Sequence, residues 1–267
     1  MPAFMTGYVA DPPGHRRTSF RAVASVLALA VANQFSASLA DAMPDVFDQG
    51  QTGACVGHGV AEAVCAALVL AGAPLGWVPS PGDIYRGARC IDRVVAADGT
   101  TEPLTDSGSQ PNQAFRFVNT WGVRPIAPLP TRYSDADPAT INDEPNLLEL
   151  QKDAETVVVG EYQIFSCGAE RGADVRQAVT NGFPVTLAVP GGSAAWQGYT
   201  DGTIGPTGET LDHYVCCYAY EQQPDGTYRY KIRNSWGPGW GLNGDCWISE
   251  AALAECGDII AVSVRRK

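Results

Sequence analysis

The stretch "GACVGHGVAEAVCAALVL", residues 53–70, constrains the fold more than any other part of the chain. Ala61, Ala63, Ala66, Ala67 and Leu68 favour a helix, and Gly72 and Pro74 stop it. The segment is apolar on nearly every side, so the helix has no face to offer water and belongs inside the protein. A chain of 267 residues can enclose it, as one large domain or as two lobes sharing a core.

The pattern around this helix changes along the chain. A second helix is expected at residues 110–121, with Ser109 as cap, Pro111 in the first turn and Gly122 at the end. A third is expected at 174–181. Residues 156–165, 185–189, 214–220 and 227–233 are rich in β-branched and aromatic residues, and "QQPDG" turns the last two into a hairpin. Further strands are expected at 246–249 and 259–264. Helices first and strands later give an α+β fold. Residues 44–124 form a mainly helical lobe and 125–267 a mainly β lobe. The Pro- and Asp-rich stretch 125–145 reads as a crossing between lobes with an exposed insertion.

Residues 1–43 stand apart as an N-terminal arm, a signal or a propiece. Arg16 and Arg17 precede the apolar run 22–32, which outlines an export signal of twin-arginine or Sec type. The other reading is an ordered or inhibitory arm. Cytoplasm and export therefore both stay open.

Acidic residues outnumber basic ones by 29 to 18, a net charge of −11, which argues against binding nucleic acid. No apolar run reaches the roughly 18–20 residues that stable membrane insertion needs. The eight cysteines form no Cys-x-x-Cys pair and there are three histidines, so no metal site is expected. Cys65 reads as a core residue. Cys216 and Cys217, neighbours on a strand, point to opposite faces and cannot easily bond to each other. Any pairing among Cys90, Cys167, Cys246 and Cys256 is left open.

Cys55 sits at the start of the buried helix, where unpaired N–H groups and the helix dipole favour a thiolate. Gly50 and Gly53 let the preceding backbone turn and leave room for a substrate. Gln49 can curl back so that its amide and the Cys55 N–H form a pair of oxyanion donors. His213 begins a strand and can act as base. Asn234 can accept the other imidazole N–H, and Trp236 can shield that bond. His58, one turn after Cys55, is a rival base but lacks an orienting partner, so a packed role is expected.

The pieces "DQGQTGACVG", "LDHYV" and "NSWGPGWGLNG", in this order, resemble the papain-like cysteine peptidases, in particular bacterial or phage-type members. The resemblance implies a helical lobe and an antiparallel, barrel-like β lobe with a cleft between them. It implies Cys55 as nucleophile, His213 as base and acid, Asn234 as orienter and Gln49 as oxyanion donor. Gly108 would pair by backbone with a peptide, with Gly53, Ser109, Asp212 and Trp236 beside it. Ala188, Leu211 and Tyr214 would border the main side-chain pocket. The chemistry needs no cofactor, and the partner is a peptide or protein substrate met by a monomer.

Departures from the family pattern matter. Val56 follows the nucleophile where an aromatic residue is common, and Thr52 stands where a disulfide usually starts. Tyr214 replaces a small residue, so a shallow pocket for slim side chains is expected. The reading is a thiol endopeptidase or amidase. A transpeptidase or cell-wall amidase with the same site, and a binding protein that keeps the fold with little activity, are its alternatives.

Overall fold

The computed structural model describes residues 3–15, 17–26, 34–91, 93, 98 and 101–267. Part of the expected export signal, Arg16 and residues 27–32, lies outside the described residues. In chain order the elements are β1 (Thr18–Ser19), α1 (Phe20–Val26), β2 (Ser36–Ser38), α2 (Cys55–Leu70), α3 (Pro81–Cys90), α4 (Pro111–Trp121) and α5 (Leu147–Asp153). Then follow β3 (Val157–Gln163), α6 (Gly168–Thr180), β4 (Val185–Val189), α7 (Ala194–Gln197), β5 (His213–Gln222), β6 (Tyr228–Arg233), β7 (Asp245–Ser249), α8 (Glu250–Glu255) and β8 (Gly257–Arg266).

Helix α2 is enclosed, as its composition demands: it packs on α3 and α4 on one side and on β5 and β8 on the other. All residues from Cys55 to Val64 are buried. The eight strands form one sheet in the order β1-β3-β8-β4-β5-β6-β7, with β2 added to the far end of β5. β1 runs parallel to β3, and the other pairings are antiparallel. The sheet stays open, so the β lobe is not a closed barrel.

Two cores explain why the central strands read as unbroken apolar runs. Along β4, Ala188 packs with α2, while Val185, Leu187 and Val189 pack on the other face. Along β5, Tyr214 and Cys216 face α2, whereas Val215, Cys217 and Ala219 face away. Side chains alternate across a strand, so strands covered on both faces need apolar residues at every position. The two neighbouring cysteines thus lie in different cores, and all eight cysteines are free thiols. Cys65 is only half-buried, at the edge of its core.

Local differences from the sequence expectation have physical causes. α4 begins at Pro111, but its cap is Gln110 and not Ser109, whose backbone is used elsewhere. α6 starts six residues earlier than expected, at Gly168. α3 was not foreseen, because "PGDIYRGARC" carries two glycines. An added methyl group at Gly82 would strike Asp135, and at Gly87 the Phe117 ring, so close packing requires both. In the stretch 125–145, Ser134, Ala136 and Ile141 are buried, so it is anchored and not merely solvated. The N-terminal region is built into the β side of the molecule: Phe20, the first residue of α1, is fully buried in the core and meets the Phe183 ring edge-on.

Candidate active site

Cys55 is the first residue of α2 and is fully buried. The turn before it is fixed by Thr52, whose hydroxyl donates to the Gln49 carbonyl (2.9 Å). It is also fixed by Asp106, whose carboxylate accepts the Gly53 N–H (2.9 Å). Asp106 further accepts the Tyr85 hydroxyl (2.6 Å), and that hydroxyl accepts the Gly108 N–H (3.1 Å). One carboxylate and one phenol therefore hold the glycine turns at 53 and 108 side by side. Neither residue belongs to a motif, and only the folded chain brings them together.

Across from α2, β5 delivers His213 and the turn after β6 delivers Asn234. The Asn234 Oδ1 accepts the Ser235 backbone N–H (2.8 Å), which fixes it as the amide oxygen. The His213 Nε2, 2.7 Å from the same oxygen, must then carry the proton. Nδ1 has no hydrogen-bond partner and keeps its lone pair. Trp236 stacks on the imidazole at 4.5 Å between ring centres and covers it. Gln49 links the two sides: its N–H donates to the Ser235 carbonyl (2.8 Å) and its Oε1 accepts the Ser235 hydroxyl (2.6 Å).

His58 is packed: Nδ1 lies 2.8 Å from the Ala54 carbonyl, and Nε2 lies 2.9 Å from the Ser134 hydroxyl. Both of its nitrogens are occupied.

The cleft is filled by the protein's own N-terminus. Phe4 stacks on Trp236 at 4.7 Å. The Met5 carbonyl accepts from both the Trp236 Nε1 (3.1 Å) and the Gln49 Nε2 (3.3 Å). The Gly7 and Tyr8 N–H groups donate to the Asp212 carbonyl (3.1 and 2.9 Å). Ser109 pairs by backbone with the arm, donating to Gly7 (2.9 Å) and accepting from Val9 (3.0 Å). The arm's own backbone pairing is thus made with Ser109, while Gly108 supplies clearance. A Cβ on Gly7 would collide with the Gly53 carbonyl oxygen, and one on Gly108 with the Gly7 carbonyl. Gly108 also has φ +83°, a region that disfavours other residues. Three glycines thus cross where the arm passes Cys55.

Burial sets the electrostatics. It pushes the Cys55 thiol up to about 12, against the pull of the Tyr214, Gly7 and Val56 N–H groups. It pushes His213 down to about 4, against its bond to Asn234. The thiolate expected from the sequence at Cys55 is therefore not the form in this arm-covered state. Both groups are neutral, because no water reaches them.

The side-chain pocket also departs from expectation. Tyr214 is fully buried, its hydroxyl donating to the Thr186 Oγ1 (2.9 Å). The Tyr8 ring lies flat on it, 5.8 Å between centres, and packs in the same core as Leu211 and Ala188. A pocket holding a tyrosine ring is not a shallow one for slim side chains. Among the described residues no three His, Cys, Asp or Glu side chains gather as metal ligands, and no helix is long and apolar enough to cross a membrane.

Comparison with known proteins agrees with this architecture. Over 92 residues the chain is 37% identical to the cysteine endopeptidase Rep1 of Oryza sativa subsp. japonica, covering 34% of this chain and 24% of that protein. Over 217 residues it is 26% identical to vignain of Vigna mungo, covering 76% and 50%. The chain thus spans between about a quarter and a half of these relatives' lengths. The fold matches xylellain, a cysteine protease from Xylella fastidiosa, with TM-score 0.69 at 20% identity, covering 100% of this chain and 99% of that one. The model of the papain family cysteine proteases matches residues 32–264, and with nucleophile helix, histidine strand and asparagine turn all inside that span, the chain belongs to this family.

Proposed function

We propose that this protein is a thiol endopeptidase that its own N-terminal arm holds inactive. The observation that carries the reading is the Met5–Tyr8 strand: a peptide lies hydrogen-bonded between Gln49, Trp236, Asp212 and Ser109, its Gly7 amide over the Cys55 sulfur. A groove that binds its own chain by backbone groups is suited to binding another peptide.

In the open state, Cys55 gives its proton to the free Nδ1 of His213, and the sulfur attacks the scissile carbonyl carbon. The oxyanion is received by the Gln49 Nε2 and the Cys55 N–H. The Gln49 Nε2 is the donor that the Met5 carbonyl occupies in the closed state. The imidazolium returns its proton to the leaving amine as the C–N bond breaks, leaving a thioester. His213 then takes a proton from water, whose oxygen attacks the thioester, and the released Cys55 is reprotonated. Asn234 keeps the imidazole in the Nε2–H tautomer throughout.

The direction of the arm supports inhibition and not self-cleavage. The leaving amine must lie beside His213, so the C-terminal part of a substrate belongs on the Trp236 side. The arm places its N-terminal residues, Phe4 and Met5, on that side and Tyr8 on the other. It runs opposite to a cleavable peptide.

The site is complete within one chain, which fits a monomer acting on peptides or proteins. Xylellain, matched over the whole chain, supports a bacterial or phage-type origin. The test is cleavage of a peptide library by the full chain and by Gly7→Val, in which the arm cannot pass Gly53. Cleavage that rises in Gly7→Val and vanishes with Cys55→Ala is expected. No cleavage by Gly7→Val, with Cys55 no more reactive than a free thiol, would reject the reading.

A further inference from the structure

The half-buried carboxylate of Asp106 and the buried phenol of Tyr85 meet beside the turn that leads into Cys55, and the proposed reaction uses neither. Tyr85 comes from α3 and Asp106 from the loop between α3 and α4. Asp106 accepts the Gly53 N–H with both oxygens (2.9 and 3.1 Å) and the Tyr85 hydroxyl with one (2.6 Å). The Tyr85 oxygen in turn accepts the Gly108 N–H (3.1 Å). A Cβ on Gly53 would lie 3.1 Å from the Asp106 Oδ1 and 3.3 Å from both the Gly108 nitrogen and the Tyr85 oxygen, so these groups converge on one point. Two residues beyond Gly53 lies the Cys55 N–H, an oxyanion donor of the proposed reaction. One residue beyond Gly108 lies Ser109, whose backbone pairs with the peptide in the cleft.

The Pro- and Asp-rich stretch 125–145, which the reaction leaves without a task, backs this pair. Its Ala136 and Ile141 pack with Tyr85 and Ala54 in a small core of their own. Ala54 is the cap of α2, directly before Cys55. The Arg89 guanidinium lies over the Tyr85 ring, 4.0 Å from its centre. It donates to the Thr105 carbonyl (2.6 Å), next to Asp106, and to the Asn142 Oδ1 (2.9 Å) and the Ile141 carbonyl within the stretch. A side chain locked by packing and by such outer hydrogen bonds holds its own partners closely. Burial, and the bond to Asp106, raise the Tyr85 pKa against the pull of Arg89, so the phenol keeps the proton it donates.

We infer that Asp106 and Tyr85 are positioning residues that hold the oxyanion donor at Cys55 and the peptide-pairing backbone at Ser109 in fixed register. This role presupposes the peptidase reading. A carbonyl placed by pairing at Ser109 must meet the donor at Cys55 as the sulfur attacks, and a shift of about 1 Å between the two can cost about 100-fold in rate. Thr52 stands where the family disulfide usually starts, and all eight cysteines are free, so no bridge fixes this turn. The carboxylate ties it instead, through charge-assisted hydrogen bonds that are stronger than neutral ones.

Two measurements on the full chain test this. In the Gly7→Val background, peptide cleavage is measured per alkylatable Cys55, so that loss of folded protein does not count as loss of rate. Asp106→Ala should lower kcat about 100-fold. Asp106→Asn, whose amide oxygen can still accept the Gly53 N–H, should recover about ten-fold of that loss. Tyr85→Phe should raise KM more than it lowers kcat, because its hydroxyl holds the pairing side. Added to Asp106→Ala it should cost little more, since the two act as a unit. Residues that only stabilise the fold would leave kcat and KM per site unchanged. The second measurement needs no turnover. Alkylation of Cys55 uses neither the oxyanion donor nor Ser109, so in the Gly7→Val background it should change little in these variants. With Gly7 intact, Asp106→Ala and Tyr85→Phe should each raise it roughly ten-fold, because the arm docks on the same two turns. Unchanged kcat and KM per site, or a loss in Asp106→Ala that Asp106→Asn does not relieve, would overturn the inference while leaving the peptidase reading intact. Absence of all cleavage by Gly7→Val itself would reject that reading, and the alkylation rates with Gly7 intact would still decide whether the two residues set the turns.

Discussion

Two histidines in this molecule look alike by every gross measure and differ in one. His58 on α2 and His213 on β5 are both fully buried, both are pushed down to about 4 by burial, and both have Nε2 bonded to a neutral side-chain oxygen. His58 also spends Nδ1 on the Ala54 carbonyl, one turn back on its own helix. His213 leaves Nδ1 unpartnered in a fully buried site. Burial and a shifted pKa therefore do not separate the two histidines. The unspent nitrogen does, and it favours His213 as the proposed base, because only a free lone pair can take a proton from a thiol.

The largest expected effect breaks the pair apart. With the arm displaced by Gly7→Val, His213→Ala should lower kcat/KM by about 10³-fold or more, as loss of a base in a nucleophile–base pair does. His58→Gln should stay within several-fold but lower stability by about 1–3 kcal/mol, since the Ser134 hydroxyl loses its buried partner. Denaturant unfolding and peptide kinetics on the same two variants check this. Equal kinetic losses would mean that the free nitrogen is not the distinction.

Next in size is the orienter. Asn234→Ala should cost about 100-fold in kcat, with little change in KM, because the ring can rotate away from the reacting atoms. Ser134→Ala, the matching deletion at His58, should leave kcat nearly unchanged.

The smallest effect separates the two by pH. A histidine forced neutral by burial contributes stability that is present above its ordinary value near 6.5 and lost as pH falls toward about 4. For His58 that loss falls on the whole fold. For His213, uncovered when the arm lifts, it falls on arm docking. Cys55 works from the other side: its proton is held up to about 12 under the arm, so docking also weakens as pH rises past the free-thiol range. Asp11, whose carboxyl burial raises, pulls toward docking at acid pH. Cys55 alkylation in the full chain should therefore show a shoulder below about pH 6.5 that His213→Gln removes and His58→Gln keeps.

The residues proposed as catalytic were legible in sequence because each sits in a short segment whose neighbours serve the same task. Cys55 needs a helix start and the glycines before it, all within residues 49–55. Asn234 needs the turn after its own strand. The arm was legible as a segment with two open readings, an export signal or an ordered or inhibitory arm. Gly7 is informative once Gly53 and Gly108 are seen to cross it, and the Tyr8–Asp258 bond joins residues 250 positions apart. Expectation of a slim pocket failed for the same reason: Tyr214 was read as filling the pocket, whereas Thr186 holds its hydroxyl and turns the ring into a floor. The neutral form of Cys55 was missed because a pKa belongs to a state, and residues 3–11 change that state.

The most direct measurement is the pH dependence of Cys55 alkylation in the full chain beside Gly7→Val. Expected is a thiol that titrates near 12 while covered and below an ordinary thiol once uncovered, the latter shift being lost with His213→Ala. Identical profiles for the two chains, or a low thiol pKa that survives loss of His213, would contradict an arm-covered pair of Cys55 and His213.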